Sequence, residues 1–108
     1  MTGKEYQRLA MATLNPELSQ QDVLINAVMG LCGESGEVID MVKKHLHQGH
    51  ELSREKLIKE LGDIAWYLAE AAQALDTDLD LIFEANIAKL KARYPEGFDT
   101  DRSIHREE

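Results

Sequence analysis

The chain has 108 residues, is 44% hydrophobic and 30% charged, and carries a formal net charge of −8. That length fits one domain and that balance is globular rather than disordered. The acidity excludes a nucleic-acid polymer as the main partner, because polymer phosphates demand a basic face. A small phosphate ligand stays open, since a bound divalent cation inverts the local charge logic.

The N-terminal Met1-Thr-Gly-Lys-Glu-Tyr is polar, with no apolar signal core, and no apolar run approaches the ~20 residues of a membrane span. A cytoplasmic location is therefore expected, with no membrane partner. The single cysteine, Cys32, allows no intramolecular disulfide, and its helical position predicts a buried small hydrophobe. A chain this small buries only a modest fraction of its surface, which favours oligomerisation.

In chain order, a short first helix covers about residues 3–14 and stops at Asn15-Pro16, where the residue before proline is pushed out of the α region. Ser19-Gln-Gln-Asp22 resembles a capping box opening a second helix that runs to about His45. Its apolar stripe is Leu24, Val28, Leu31, Val38 and Val42, interrupted by Ser35. His47 to Leu52 form a polar loop containing Gly49. His45, His47 and His50 gather there, where neighbouring histidines are ordinarily solvated rather than metal ligands.

Ser53 caps a third helix ending near Leu75, with a stripe of Leu57, Leu61, Ile64, Leu68, Ala71 and Leu75. Its other sides carry Ile58, Gly62, Ala65, Trp66, Ala69 and Ala72. A helix apolar almost all round is buried on more than one face. A second subunit is expected to pack against it, with Trp66 a candidate for that contact. Thr77 or Asp78 caps a fourth helix that ends at Tyr94-Pro95, and Glu96 to Glu108 form a polar tail without periodicity. The expected architecture is all-α: a four-helix chain with a central antiparallel hairpin, forming an oligomeric helical bundle. Residues 1–99 make the helical domain and 100–108 the polar C-terminal tail.

The informative residues are Glu34 and Glu37 on the second helix, and Glu60 and Asp63 on the third. Each pair is spaced i, i+3 and so shares a helix face. At about 100° per residue, Glu34 and Glu37 lie at roughly −80° and −140° from their apolar stripe, and Glu60 and Asp63 at roughly −60° and −120° from theirs. The flanks have the same hand, so they face each other if the short loop makes the helices antiparallel. The pairs also stand at similar distances from Gly49 along the chain, which sets them at one level. Four converging carboxylates repel one another unless a hard cation joins them, and all-oxygen ligands suit Mg²⁺ or Mn²⁺. With 20 acids in the chain, one such pair is unremarkable; two pairs on matching flanks and levels are less so. Gly30, Gly33 and Gly36 surround the first pair, which implies close approach by a ligand or by another backbone.

Asn86, Lys89 and Arg93 share one face of the fourth helix. On spacing alone this is a solvated helix end whose cations match the macrodipole; over a metal-bound phosphate the same groups would neutralise charge. Lys43 can reach toward a phosphate, whereas Lys44 is expected in solvent. Tyr67, one turn beyond Asp63, borders the acidic flank.

Gly33-Glu34-Ser35-Gly36-Glu37-Val38, Lys59-Glu60-Leu61-Gly62-Asp63-Ile64 and the segment Asn86 to Phe98, which includes Arg93-Tyr94-Pro95-Glu96-Gly97-Phe98, resemble the MazG-like all-α nucleoside triphosphate pyrophosphohydrolases. The resemblance covers about residues 20–99. It implies helical hairpins that form a homodimer or homotetramer, with sites near the subunit interface. It implies Mg²⁺ on Glu34, Glu37, Glu60 and Asp63, and nucleotide contacts from Asn86, Lys89 and Arg93. The implied reaction cleaves an NTP or dNTP between the α and β phosphates, giving NMP and pyrophosphate, as nucleotide-pool house-cleaning.

A di-iron bundle is disfavoured, because no Glu is followed by His three residues on. The alternative is a non-catalytic helical dimer acting as a nucleotide sensor or as a protein-binding module.

Overall fold

The computed structural model describes residues 1–106 and is helical throughout its named elements: α1 (Gly3–Met11), α2 (Gln20–His47), α3 (Arg54–Ala74), α4 (Leu79–Arg93) and α5 (Thr100–Ile104). Each of the first four starts where a short polar side chain accepts a hydrogen bond from the first turn: Thr2 from Glu5 N, Ser19 from Asp22 N, Ser53 from Lys56 N and Asp78 from Leu81 N. These satisfy amide donors that a helix start leaves without partners. Gly49 holds φ +74° in the loop after α2, a left-handed conformation that favours glycine.

The tail departs from expectation. Asp99 accepts from Arg102 N and opens the short helix α5, so a local cap organises a stretch that shows no periodicity. The last two residues of the expected tail, 107 and 108, lie outside the described residues.

The buried core is small and rich in alanine: Ala10, Ala69, Ala72 and Leu79, with Tyr6, Met11 and Trp66 packed against it. Polar bonds pin α1 to the α3–α4 corner. Buried Gln7 donates to Gln73 Oε1 and Thr77 O, both at 3.1 Å, and accepts from Leu79 N at 2.9 Å. Trp66 Nε1 donates to Ala10 O at 3.1 Å and Thr13 Oγ1 at 2.9 Å. The Trp66 indole N–H is thus satisfied within its own chain, at α1 and the turn that follows it.

Contacts between α2 and α3 fall in numerical order on α2 and reverse order on α3: Gln20 with Ala74, Asn26 with Glu70, Gly30 with Tyr67, and Glu34 and Glu37 with Glu60. The helix faces involved follow two lines of three-and-four spacing. One is Val23, Ala27, Gly30, Glu34 and Glu37; the other is Glu60, Asp63, Tyr67, Glu70 and Ala74. Each sits one residue, about 100° of rotation, from the apolar stripe read in the sequence. The contact selects small side chains and acids, which let two helices approach closely, in place of the larger aliphatics. Val28, Leu61, Leu68 and Leu75 of the expected stripes are exposed as a result. Cys32 is exposed too, on the side of α2 turned from α3, and not the buried group expected.

α4 lies against α1 and α3, with Leu81, Ile82, Phe83, Ile87 and Leu90 exposed along it. The radius of gyration is 17.0 Å, against about 13 Å for a compact domain of this length. No helix among the described residues is long and apolar enough to cross a membrane.

Candidate functional site

The loop of residues 48–53 and the α2–α3 contact bring three acids together. Glu34, Glu37 and Glu60 each place a carboxylate oxygen so that all three atoms lie within 4.8 Å of one another. The cause is local: positions 34 and 37 repeat the spacing of Val23, Ala27 and Gly30, so they continue the inner face of α2 toward the loop, and position 60 continues the matching face of α3.

Two oxygens of this group, Glu34 Oε2 and Glu60 Oε2, are buried with no hydrogen-bond partner. A carboxylate oxygen shut off from water without a donor is destabilising, and more so when charged. The side chain of Glu34 lying against it raises the Glu60 carboxyl above its ordinary value, followed by its loss of solvent; Glu37 acts the other way, and the charges of Glu34 and Asp63 add to the rise. Crowded carboxylates of this kind, one of them pushed above its ordinary range by the others, are a donor set suited to a hard divalent ion, which takes oxygen ligands.

Asp63 lies outside the 4.8 Å group. Its side chain is exposed, yet its charge acts on both Glu60 and Tyr6, so it stands beside the cluster, between α3 and α1. Burial is the first cause of the raised Tyr6 hydroxyl and Asp63 the second.

Tyr67 is partly buried and packs its ring on Gly30, where a β-carbon would collide with it. It also stacks edge-on against Trp66, with centroids 5.1 Å apart. Gly30 therefore serves a close approach by a side chain. Gly33 and Gly36 have open space where a β-carbon would stand. Lys43 pairs with Asp40 at 3.3 Å, and Lys44 pairs with the same carboxylate at 2.9 Å. His45 Nδ1 lies 2.8 Å from the carbonyl of His50, a bond that closes the loop.

Asn86 and Lys89 are exposed on α4, and Arg93 is partly buried with its Nε lacking a partner. Among the described residues, no hydrogen bond or ion pair joins these three to the acidic cluster. Two side chains at the α2–α3 contact have no place in the sequence reading: Glu70, fully buried, accepts from Asn26 Nδ2 through both oxygens at 2.9 Å. The available signal is a lone acid in the run Leu68-Ala-Glu70-Ala-Ala, seven residues after Asp63 and so on the same helix face.

Fold and site together define an all-helical protein with a carboxylate cluster fit for a divalent cation. Residues 21–98 match the model of the MazG nucleotide pyrophosphohydrolase domain. That is more than half of the chain, which belongs to this family. A curated relative, the Gene 37 protein of Mycobacterium phage L5, is 40% identical over 73 residues. The match covers 64% of this chain and 64% of that relative, so the chain spans less than two thirds of its length. No solved structure matches.

Proposed function

We propose that the chain hydrolyses a nucleoside triphosphate, NTP or dNTP, between the α and β phosphates. Water adds to the α-phosphorus, the bond to the bridging oxygen breaks, and NMP and pyrophosphate leave. The role is house-cleaning of the cytoplasmic nucleotide pool. The observation that supports this best is the pair of partnerless buried oxygens, Glu34 Oε2 and Glu60 Oε2, within a three-carboxylate group on a chain of this family.

Glu34, Glu37, Glu60 and Asp63 are the groups that hold Mg²⁺, with Mn²⁺ able to replace it. When bound, the ion polarises phosphate oxygens and lowers the pKa of a coordinated water. The four carboxylates also supply the general base, since each can accept the proton that the attacking water gives up. Asn86 orients the substrate, Lys89 and Arg93 offset phosphate charge, and the partnerless Arg93 Nε is a donor ready for an anionic oxygen. Tyr67 borders the site, and Lys43 reaches it only by leaving Asp40.

The α2–α3 pair is an antiparallel hairpin, residues 1–99 form the working domain, and the assembly is a homodimer or homotetramer. The exposed apolar faces of α3 and α4 and the large radius of gyration support assembly. Assembly would also let the α4 cations of one copy approach the acids of another.

A pyrophosphate-release assay across common and damaged NTPs and dNTPs tests the reading. Equal yields of NMP and pyrophosphate are expected with Mg²⁺, none with a chelator, and none from Glu37→Gln or Asp63→Asn with helicity intact. Orthophosphate as the product, or normal turnover by those variants, would refute it.

A further inference from the structure

The Asn26–Glu70 pair is the strongest polar feature outside the acidic cluster. Among the described residues Glu70 is the one large side chain that is fully buried, and its neighbours in the buried set of α3 are Ala69, Ala72 and Ala74. The facing part of α2 buries Val23 and Ala27. Smooth faces of this kind fix the distance between two helices but do little to fix their sliding position, because an alanine meets any neighbour about equally well. A buried carboxylate with a single donor does fix it: any shift leaves the acid without its hydrogen bonds, at a cost far above that of misplacing a methyl group.

The acidic cluster depends on that sliding position. Its oxygens lie within 4.8 Å of one another, and a slip of one helical turn moves α3 by about 5.4 Å along α2. Such a slip would carry Glu60 out of reach of Glu34 and Glu37. The loop that joins the helices tethers one end; Asn26 and Glu70 lie two turns or more to the other side of the cluster, with Gly30 and Tyr67 between. We propose that Asn26 and Glu70 form a register lock: a pair of positioning residues that acts through the α2–α3 alignment to hold Glu34, Glu37 and Glu60 as one cation site. Single buried polar pairs specify register in other helical contacts and do so at some expense in stability. The inference rests on the reading of the carboxylates as a cation site.

The test is Mn²⁺ binding by the full chain, measured by calorimetry beside thermal unfolding. Replacing both groups with Asn26→Leu/Glu70→Leu is expected to keep or raise the unfolding temperature, since apolar isosteres of a buried polar pair are often stabilising. The same variant is expected to lose tenfold or more in Mn²⁺ affinity. Glu70→Gln keeps an amide-to-amide hydrogen bond with Asn26 while removing the charge, and is expected to bind Mn²⁺ within about threefold of the wild type. If the leucine pair does not fold, Asn26→Ala/Glu70→Ala is expected to show the same loss of Mn²⁺ affinity, with a lower unfolding temperature from the cavity it leaves.

Undiminished Mn²⁺ affinity in a doubly substituted variant that folds would overturn the lock. So would a tenfold loss in Glu70→Gln, which would show that Glu70 acts through charge rather than register. A wild-type chain that binds no Mn²⁺ would instead refute the cation site itself, a separate failure.

Discussion

Tyr67 lies across Gly30, ring against bare backbone, so that no β-carbon can stand at position 30 without displacing it. This contact sits between the three acids and the buried Glu70, and it sets how closely α2 and α3 approach at mid-length.

Gly30→Ala is therefore expected to destabilise the fold by about 1–3 kcal/mol, the usual range for an overpacked site. Helix propensity alone would favour Ala by about 1 kcal/mol, so the sign decides whether the contact matters. Adding Tyr67→Ala should recover part of the loss, with a coupling of at least about 0.5 kcal/mol between the two sites. Urea unfolding measures all three. A stabilising Gly30→Ala would contradict the close packing.

Glu60 gives a pH dependence with a definite sign. Its carboxyl sits above its ordinary value of 4.5, because the Glu34 carboxyl lies against it and it has lost solvent. The fold then holds its proton more tightly than the unfolded chain does. Its contribution to stability is present below 4.5 and is lost as pH rises through the folded value. In chelator, the unfolding temperature of the wild type relative to Glu60→Gln should fall as pH rises above 4.5. Saturating Mg²⁺ should remove that decline, since the ion takes the place of the proton. A difference between the two proteins that stays flat with pH would count against a raised Glu60 carboxyl.

Arg93 and Lys89 are expected to act on substrate and not on the fold. Both lie at the last turns of α4, away from the buried core. A charge-assisted hydrogen bond is worth about 1.5–3 kcal/mol, so Arg93→Ala should lower kcat/KM by about 10- to 150-fold. Its circular dichroism should stay at the wild-type level. A kcat/KM within twofold of wild type would return Arg93 to a solvated helix end.

Assembly makes its own forecast. Leu61 is 55% exposed and Phe83 51% exposed in the single chain. Sedimentation of the wild type should give a dimer or tetramer at micromolar concentration. Leu61→Asp or Phe83→Asp should shift it toward a monomer. A wild type that sediments as a monomer would contradict this.

Much of the fold is legible in the sequence because it is written in local chemistry. Ser19, Ser53 and Asp78 cap the helices they open, Pro16 and Pro95 follow helix ends, and Gly49 supplies the left-handed turn. The acids at 34, 37 and 60 stand out because their spacing repeats on two helices. The rotation of those helices is not legible from large apolar residues. The α2–α3 contact uses Ala, Gly, Tyr and acids, so its line runs one residue from Leu24 on α2 and from Leu61 on α3. That offset also hides Glu70, whose burial depends on Asn26 across the contact, 44 residues away in the chain. Cys32 falls to the same cause: which side of a helix is inner depends on a partner helix that spacing alone does not orient. The helix at Thr100–Ile104 is too short to show periodicity and rests on the Asp99 cap.

The central claim is that Glu34, Glu37 and Glu60 hold one divalent cation between α2 and α3. Anomalous diffraction from crystals grown with Mn²⁺ tests it most directly. The account predicts an anomalous peak bonded to oxygens of all three side chains, with Asp63 at its edge, and no such peak in Glu34→Gln/Glu60→Gln crystals. Wild-type crystals in which Mn²⁺ binds elsewhere, or in which the three side chains point to separate regions, would contradict it.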